Sequence, residues 1–244
     1  MIDMHSHILP GVDDGALTVE EATEALKVAF AQGITEVICT PHFYPESALR
    51  QISAEKGQTL SCKKQQVLDA LTVMKPIARE IGITLHAGME CFYDSSLPGE
   101  IEKDNVLTLA DSRYLLVEFS SDTSFHDLRA GLQEVKNAGC VPVLAHYERY
   151  KCIDEQEKLA ELRERGALIQ MNFDTVQRYY GFLRLNAFRK DLKAGLVDLM
   201  GSDCHGTHFR QMRIVPSVKW MRENLTDAEK ILEENPRKIL SDSY

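Results

Sequence analysis

Two pairs of potential metal ligands lie at opposite ends of the chain, each with one residue between its members. His5 and His7 form the first pair in MIDMHSH, and Asp203 and His205 form the second in GSDCH. Side chains at positions i and i+2 of a β-strand point to the same face, so each pair can direct two donor atoms at one point. Imidazole and carboxylate groups bind divalent metal ions. The two pairs therefore predict a metal site.

Four more candidate ligands come at the ends of short apolar segments. They are His42 in ICTPH, Glu90 in AGME, Glu118 in LLVE and His146 after VPVLA. An unpaired carboxylate is costly to bury, and a bound metal ion would offset that cost. Each of the four, taken alone, is explained equally well as a capping or core residue. Taken together they favour one shared site.

The loop GVDDG follows the first histidine pair and is expected to lie over the same site. We predict that Asp14 is a ligand, whereas Asp13 is explained equally well by a turn in which aspartate tolerates unusual dihedral angles. The other histidines are not assigned to the site. His86 falls inside a predicted strand, His126 falls in an exposed polar segment, and His208 is at most a neighbour of the ligands.

Apolar segments rich in Val, Ile and Leu alternate with segments of helical period, which predicts parallel strands joined by helices. The predicted strands are 1–7, 34–42, 83–90, 114–120, 141–147, 167–172 and 197–205, and the helices are 18–33, 55–81, 126–138, 155–165, 182–194 and 217–234. The candidate ligands fall at the carboxyl ends of six strands, where barrel enzymes build their sites. The fold class expected is therefore α/β, with a closed barrel favoured over an open sheet. We see no linker or repeat, so residues 1–244 are expected to form a single domain.

Composition narrows the class of partner. The net charge of −9 disfavours binding to nucleic acid or to an anionic membrane surface. No basic leader and no run of 18 apolar residues is present, so no direct membrane insertion is expected. Six cysteines occur without a CxxC pair, which indicates reduced thiols and a cytoplasmic location.

In their order along the chain, HSH, TPH, the strand-end glutamates, AHYER and GSDCH resemble the PHP superfamily of metal-dependent phosphoesterases. More narrowly, MIDMHSHILPGVDDGA, ICTPH, HYERY and NPRKIL resemble the bacterial protein tyrosine phosphatases encoded with capsule and exopolysaccharide genes. The resemblance covers almost the whole chain. It implies a distorted (β/α)7 barrel of the PHP type, with three divalent metal ions at its carboxyl-terminal rim.

The same resemblance implies a role for each matched residue. One metal would be bound by His5, His7, Glu118 and Asp203, a second by Glu90, Glu118 and His146, and a third by Asp14, His42 and His205. Arg149 and Arg210 match the positions that hold the substrate phosphate. The chain departs from the family pattern at Phe43 and Tyr147, which bears on the shape of the substrate pocket.

The predicted reaction is hydrolysis of phosphotyrosine by a hydroxide that bridges two metal ions. A mixed nitrogen and oxygen ligand set suits manganese, iron or zinc better than magnesium, and the resemblance favours manganese. The two arginines would neutralise the phosphoryl oxygens. No general acid is assigned, because a phenolate with an intrinsic pKa near 10 leaves more readily than an alkoxide. The implied partner is a phosphotyrosine protein, namely a membrane-associated bacterial tyrosine kinase.

Three alternatives remain open. Cys204 and Arg210 have the CxxxxxR spacing of cysteine-dependent tyrosine phosphatases, although the segment between them holds a single glycine for a phosphate-binding loop. A PHP phosphatase acting on a small metabolite such as histidinol phosphate would use the same ligands. A PHP module with a degenerate site would be a binding domain, but no matched ligand is lost.

Overall fold

Nine short strands occur in the part of the chain described by the computed structural model, which covers residues 1–49, 61–177, 182–207 and 210–244. They are β1 (Ile2–Ser6), β2 (Glu36–Cys39), β3 (His42–Phe43), β4 (Thr84–Ala87), β5 (Glu90–Phe92), β6 (Tyr114–Glu118), β7 (Val141–Leu144), β8 (Leu168–Asn172) and β9 (Leu199–Gly201). Every described pairing between strands is parallel. The predicted parallel α/β class is thus confirmed.

Two of the predicted strands, 34–42 and 83–90, are each divided between two sheets. One sheet has the order β1-β2-β4 and the other the order β3-β5-β6-β7-β8-β9. Pro41, which has no N–H to donate, lies at the first division. Gly88 lies at the second, where a Cβ atom would be 2.9 Å from Cγ2 of Ile38. Beyond these breaks, β3 and β5 pair with His42 directly opposite Glu90, so two candidate ligands become neighbours.

The first and last strands lie side by side and close the barrel. The backbone N–H of His7 donates to the carbonyl of Cys204 at 2.8 Å, and the N–H of Asp203 donates to the carbonyl of His5 at 2.8 Å. The Ser202 hydroxyl also donates to the Asp3 carboxylate at 2.6 Å. With β2/β3 and β4/β5 each occupying one position, seven strand positions follow chain order around a distorted barrel. The predicted (β/α)7 architecture is therefore confirmed.

Besides a helical segment at residues 46–49, the α-helices in the described part of the chain are α1 (Val19–Ala31), α2 (Lys64–Ile81), α3 (Leu97–Glu102), α4 (Phe125–Asn137), α5 (Gln156–Glu164), α6 (Phe182–Lys193), α7 (Val215–Asn224) and α8 (Asn235–Leu240). Thr18 caps α1 by accepting from the N–H of Glu21 at 3.2 Å, and α2 ends at Gly82 with φ +102°. Residues 55–60 of the predicted second helix lie outside the described residues. The helix predicted over 217–234 ends at Asn224, and a separate π-helical turn covers Lys230–Glu234. Helices α3 and α8 were not predicted, because six residues carry little periodicity.

The barrel interior is layered from apolar to polar. Its lower layers contain Ile2, Met4, Leu116, Val143, Leu168 and Leu199. Two residues further along β6 and β8, on the same faces, come Glu118 and Gln170. The pairing of β1 with β2 is irregular between Asp3 and Ser6, and beyond it His5 lies against Gln170 on the interior face. The interior is therefore apolar toward the amino ends of the strands and polar toward their carboxyl ends.

Two further expectations concern reduced thiols and the lack of a membrane-spanning segment. All six cysteines are free thiols, and all but Cys152 are buried. Among the described helices, none combines the length and the apolar character that crossing a membrane requires.

Candidate metal centre

All nine predicted ligands meet at the carboxyl-terminal rim of the barrel. Three groups have donor atoms within 4.8 Å of one another: His7, Asp14, His42 and His205; His5, His7 and Glu90; and His42, Glu90 and Glu118. The other two predicted ligands adjoin these groups. Nε2 of His146 is 2.7 Å from Oε1 of Glu90, and Oδ1 of Asp203 is 3.6 Å from Nε2 of His7. Residues from both ends of the chain thus form one continuous cluster.

Glu90 is at the centre of the cluster. Its Oε2 atom lies 3.3 Å from Nε2 of His5, 3.3 Å from Nε2 of His7 and 3.0 Å from Nδ1 of His42. The side chain is buried. Two of the three donor groups therefore share this carboxylate.

Glu118 lies at the edge of the cluster. It is 3.4 Å from Nε2 of His146 and 3.8 Å from Nδ1 of His42, and it is partly exposed. The resemblance implied that Glu118 joins His5 and His7 in one set. In the structure Glu90 is the glutamate beside those two histidines, and the pairing of its strand with β3 also places it opposite His42.

The cluster contains buried donor atoms that the protein itself does not satisfy. Nδ1 of His42, Oε2 of Glu90 and Oε2 of Glu118 have no hydrogen-bond partner, although His42 and Glu90 are only 3.0 Å apart. Buried polar atoms normally have partners, so these atoms fit ligation of a cation. The mixed imidazole and carboxylate donor set suits divalent transition metals.

The electrostatics of the cluster also favour positive charge. Burial would lower the pKa of His7, but Asp13 and Glu90 outweigh burial and raise it well above its ordinary value. Burial and Arg149 would lower the pKa of His146, yet Glu118 and Glu90 raise it to about 9. The carboxylates thus favour positive charge in the cluster, and a bound divalent ion would supply that charge in place of the imidazole protons.

Asp13 has a larger role than the sequence indicated. Its carboxylate accepts from Nδ1 of His7 at 2.6 Å, from the N–H of His42 at 3.1 Å and from the N–H of Gly15 at 3.0 Å. Its pKa is lowered, because interaction with His7 outweighs burial. Because Nδ1 of His7 is bonded to Asp13, Nε2 is the nitrogen that faces Glu90 and could bind a metal ion. Asp13 therefore orients one candidate ligand and anchors the strand that carries another.

Arg149 and Arg210 both reach the cluster at the carboxylate of Asp203. Arg149 donates a hydrogen bond to Oδ2, and Nη1 of Arg210 lies 3.4 Å from Oδ1. Burial would raise the pKa of Asp203, but Arg149 and the neighbouring histidines lower it well below its usual range. Both guanidinium groups remain about one-third exposed, so they lie at the opening of the site.

Cys204 lies on the opposite side of its segment from the cluster. Its thiol is buried in the layer between strands and helices and donates to the carbonyl of Gly206 at 3.4 Å. Burial raises the pKa of this thiol to about 12. A cysteine nucleophile requires a lowered pKa and access to substrate, so this position lacks both features.

The remaining histidines behave largely as the sequence indicated. His86 contacts Glu36 at 2.9 Å, away from the cluster, and His126 is exposed beside Asp127. His208 lies outside the described residues. Gln170 and Asn172 were not predicted, although their amides contact His5 and Asp203. The sequence feature that could have indicated them is two polar residues on one face of an otherwise apolar strand.

Comparison with known proteins assigns the family. The model of the capsular polysaccharide synthesis family CpsB/CapC matches residues 1–241. The tyrosine-protein phosphatase CpsB of Streptococcus pneumoniae is 30% identical over 253 residues, covering 99% of each chain. The chain also matches a crystal structure with a TM-score of 0.85 and 25% identity, covering 100% of this chain and 96% of the other. That structure belongs to a set described as YwqE from Bacillus subtilis and CpsB from S. pneumoniae, "unique metal-dependent tyrosine phosphatases".

A more distant likeness extends to a histidinol phosphate phosphatase from Lactococcus lactis, with a TM-score of 0.58, 15% identity and 93% of each chain covered. At this identity the likeness concerns the fold alone. Family membership instead rests on the match over residues 1–241 and on the relatives that align over nearly their whole length. The chain therefore belongs to the CpsB/CapC family of capsular polysaccharide synthesis proteins.

Proposed function

We propose that the chain is a metal-dependent protein tyrosine phosphatase and that the rim cluster is its metal site. Relatives that align over almost the whole chain are named tyrosine-protein phosphatases, and the matching crystal structures are described as metal-dependent. The observation that carries the assignment to this site is the convergence of nine donor residues beside two partly exposed arginines. The unsatisfied buried atoms of His42, Glu90 and Glu118 support ligation.

We assign the nine donors to three divalent ions, with manganese favoured and iron or zinc as alternatives. The ligands are His5, His7, Asp14, His42, Glu90, Glu118, His146, Asp203 and His205. Glu90 is assigned as a shared ligand, because its Oε2 atom adjoins His5, His7 and His42. When bound, such ions supply Lewis acidity and lower the pKa of water toward neutrality.

The protein's own groups position the phosphate. Arg149 and Arg210 approach the cluster from its opening, where each guanidinium can donate to phosphoryl oxygens. Their positive charge offsets the negative charge that the carboxylates would otherwise present to an anionic substrate. The tyrosine oxygen leaves as a phenolate of moderate basicity, so the reaction needs no assigned proton donor.

We place the substrate among phosphotyrosine proteins and specify a membrane-associated bacterial tyrosine kinase. The family description and the relatives' names support a phosphotyrosine protein connected with capsule synthesis. We also propose a cytoplasmic location, which the six free cysteines support. Residues 1–244 are proposed to form a single domain, because contacts between β1 and β9 join segments about 200 residues apart in sequence.

The test combines metal analysis with a panel of substrates. Purified protein is assayed on a phosphotyrosine peptide, a phosphoserine peptide and histidinol phosphate, before chelation, after verified metal removal, and after addition of manganese, cobalt or zinc. We expect phosphotyrosine to be preferred, chelation to abolish the activity, and an added divalent ion to restore it. Full activity in metal-free protein would overturn the proposed mechanism, and a preference for histidinol phosphate would overturn the proposed substrate.

A further inference from the structure

Strand β8 contributes none of the proposed ligands, yet two of its side chains extend into the cluster. Gln170 and Asn172 occupy positions i and i+2, so both point to the barrel interior. Both are buried, and neither amide is left without partners. Two satisfied amides in the interior of a parallel strand need a reason beyond packing, because apolar residues would fill the same space without requiring partners.

The direction of hydrogen bonding through these amides is fixed by one backbone group. The N–H of His146 can only donate, and it lies 2.7 Å from Oε1 of Gln170. Nε2 of Gln170 therefore donates to Oδ1 of Asn172 at 2.9 Å. That contact in turn directs Nδ2 of Asn172 to donate to Oδ2 of Asp203 at 2.9 Å.

The same direction determines which nitrogen of His5 carries the proton. Oε1 of Gln170 lies 3.2 Å from Nδ1 of His5 and can only accept, so Nδ1 is the donor. Nε2 of His5 is then the nitrogen with a free lone pair, and it faces Glu90 at 3.3 Å. Asp203, at the other end of the chain of amides, keeps Oδ1 directed toward the histidines while Oδ2 accepts from Asn172.

We infer that Gln170 and Asn172 are positioning residues that select the metal-binding tautomer of His5 and the orientation of Asp203 through one directed chain of hydrogen bonds. The inference rests on the proposed metal site and adds residues that set its geometry without contacting the ions. Partners of this kind fix the ring orientation of a ligand, and their loss typically weakens metal binding about 10- to 100-fold.

The experiment compares two variants with a control on the same strand. Gln170→Met keeps the length of the side chain but cannot accept from His5, and Asn172→Leu keeps its approximate volume but cannot donate to Asp203. Met171→Leu is the matched control, because Met171 is buried on the opposite face of β8 in the apolar layer against the helices. Zinc alone is titrated into metal-free protein, and the melting temperature is measured in parallel.

We expect each amide variant to bind zinc about 10- to 100-fold more weakly than wild type. Met171→Leu is expected to change the melting temperature without changing zinc affinity. Histidine nitrogen NMR of the metal-free protein, above the pH at which the imidazole is charged, should show His5 protonated at Nδ1 in wild type and a loss of that preference in Gln170→Met. A role limited to packing would change neither zinc affinity nor the tautomer.

The outcomes separate this inference from the proposed function. If wild type binds zinc stoichiometrically and both folded amide variants bind it equally well, the inference is wrong and the metal site stands. If wild type binds no metal, the proposed function fails, while the tautomer measurement still decides whether Gln170 acts on His5. Gln170→Leu and Asn172→Ala replace either variant that does not fold.

Discussion

Arg149 donates a hydrogen bond to the carboxylate of Asp203, so a proposed phosphate-binding residue is paired with a proposed metal ligand. Arg210 approaches the other oxygen of the same carboxylate at 3.4 Å. A divalent ion at Asp203 would compete with both guanidinium groups for that negative charge. Metal binding and phosphate binding are therefore linked through one side chain, and each is expected to favour the other.

Arg149→Ala is expected to lower kcat/KM for a phosphotyrosine peptide by roughly 10²- to 10³-fold, because a charge-assisted donor to the phosphoryl group is lost. Steady-state kinetics with saturating metal provide the measurement. Arg113→Ala is the control, since Arg113 precedes β6 at the opposite end of the barrel. Equal activities for the Arg149 variant and wild type would remove Arg149 from the phosphate site.

Glu90→Gln is expected to lose activity by orders of magnitude and to lose metal from more than one of the three donor groups. Glu118→Gln should also lose activity but should retain metal at the groups that it does not adjoin. The reason is that Glu90 contacts His5, His7 and His42, whereas Glu118 lies at the edge. Metal content per chain is measured by elemental analysis, with the exposed Glu164→Gln as control. A Glu90 variant with full metal content would contradict the shared role.

Cys204→Ala is expected to keep most of the phosphatase activity, and no phosphocysteine intermediate should be trapped. The thiol is buried away from the cluster, and its pKa of about 12 leaves it protonated at neutral pH. The lost packing should cost on the order of 1 kcal/mol of stability. Rate and thermal unfolding are measured on the same sample. A folded, metal-loaded but inactive variant would restore the cysteine mechanism.

Asp13→Asn is expected to weaken metal binding about 10- to 100-fold, because the charged acceptor for Nδ1 of His7 is removed. Titration of metal-free protein with zinc measures the change. Asp122→Asn, at an exposed aspartate that pairs with Lys151, removes the same charge and should leave affinity unchanged. If the Asp13 variant bound zinc as tightly as wild type, Asp13 would only stabilise the turn and would have no role in metal binding.

Much of the architecture was predictable because parallel strands place their carboxyl ends at one rim. His5, Glu118 and His146 could be placed together on this ground, since each ends or follows an apolar segment. The divisions of two strands at Pro41 and Gly88 were not predicted. An apolar segment of 8 or 9 residues does not reveal that its two halves pair with different neighbours.

The supporting residues were harder to predict because their roles depend on partners far along the chain. Asp13 resembles an ordinary turn aspartate until His7 is seen 2.6 Å away. Gln170 and Asn172 have no neighbouring residue in sequence that explains them, because their contacts are to the first strand, to the segment after β7 and to Asp203. The polar pair inside an apolar strand was nevertheless a visible signal that a partner must exist.

The adjacency of β1 and β9 has a consequence for how the protein is made. During synthesis His5 and His7 leave the ribosome early, but their neighbours Asp203 and His205 are added about 200 residues later. A nascent chain that ends before β9 contains the first histidine pair without the carboxylate of Asp203. The complete donor set can therefore assemble only after nearly the whole barrel has been translated, and loading with metal is expected to be a late, post-translational step.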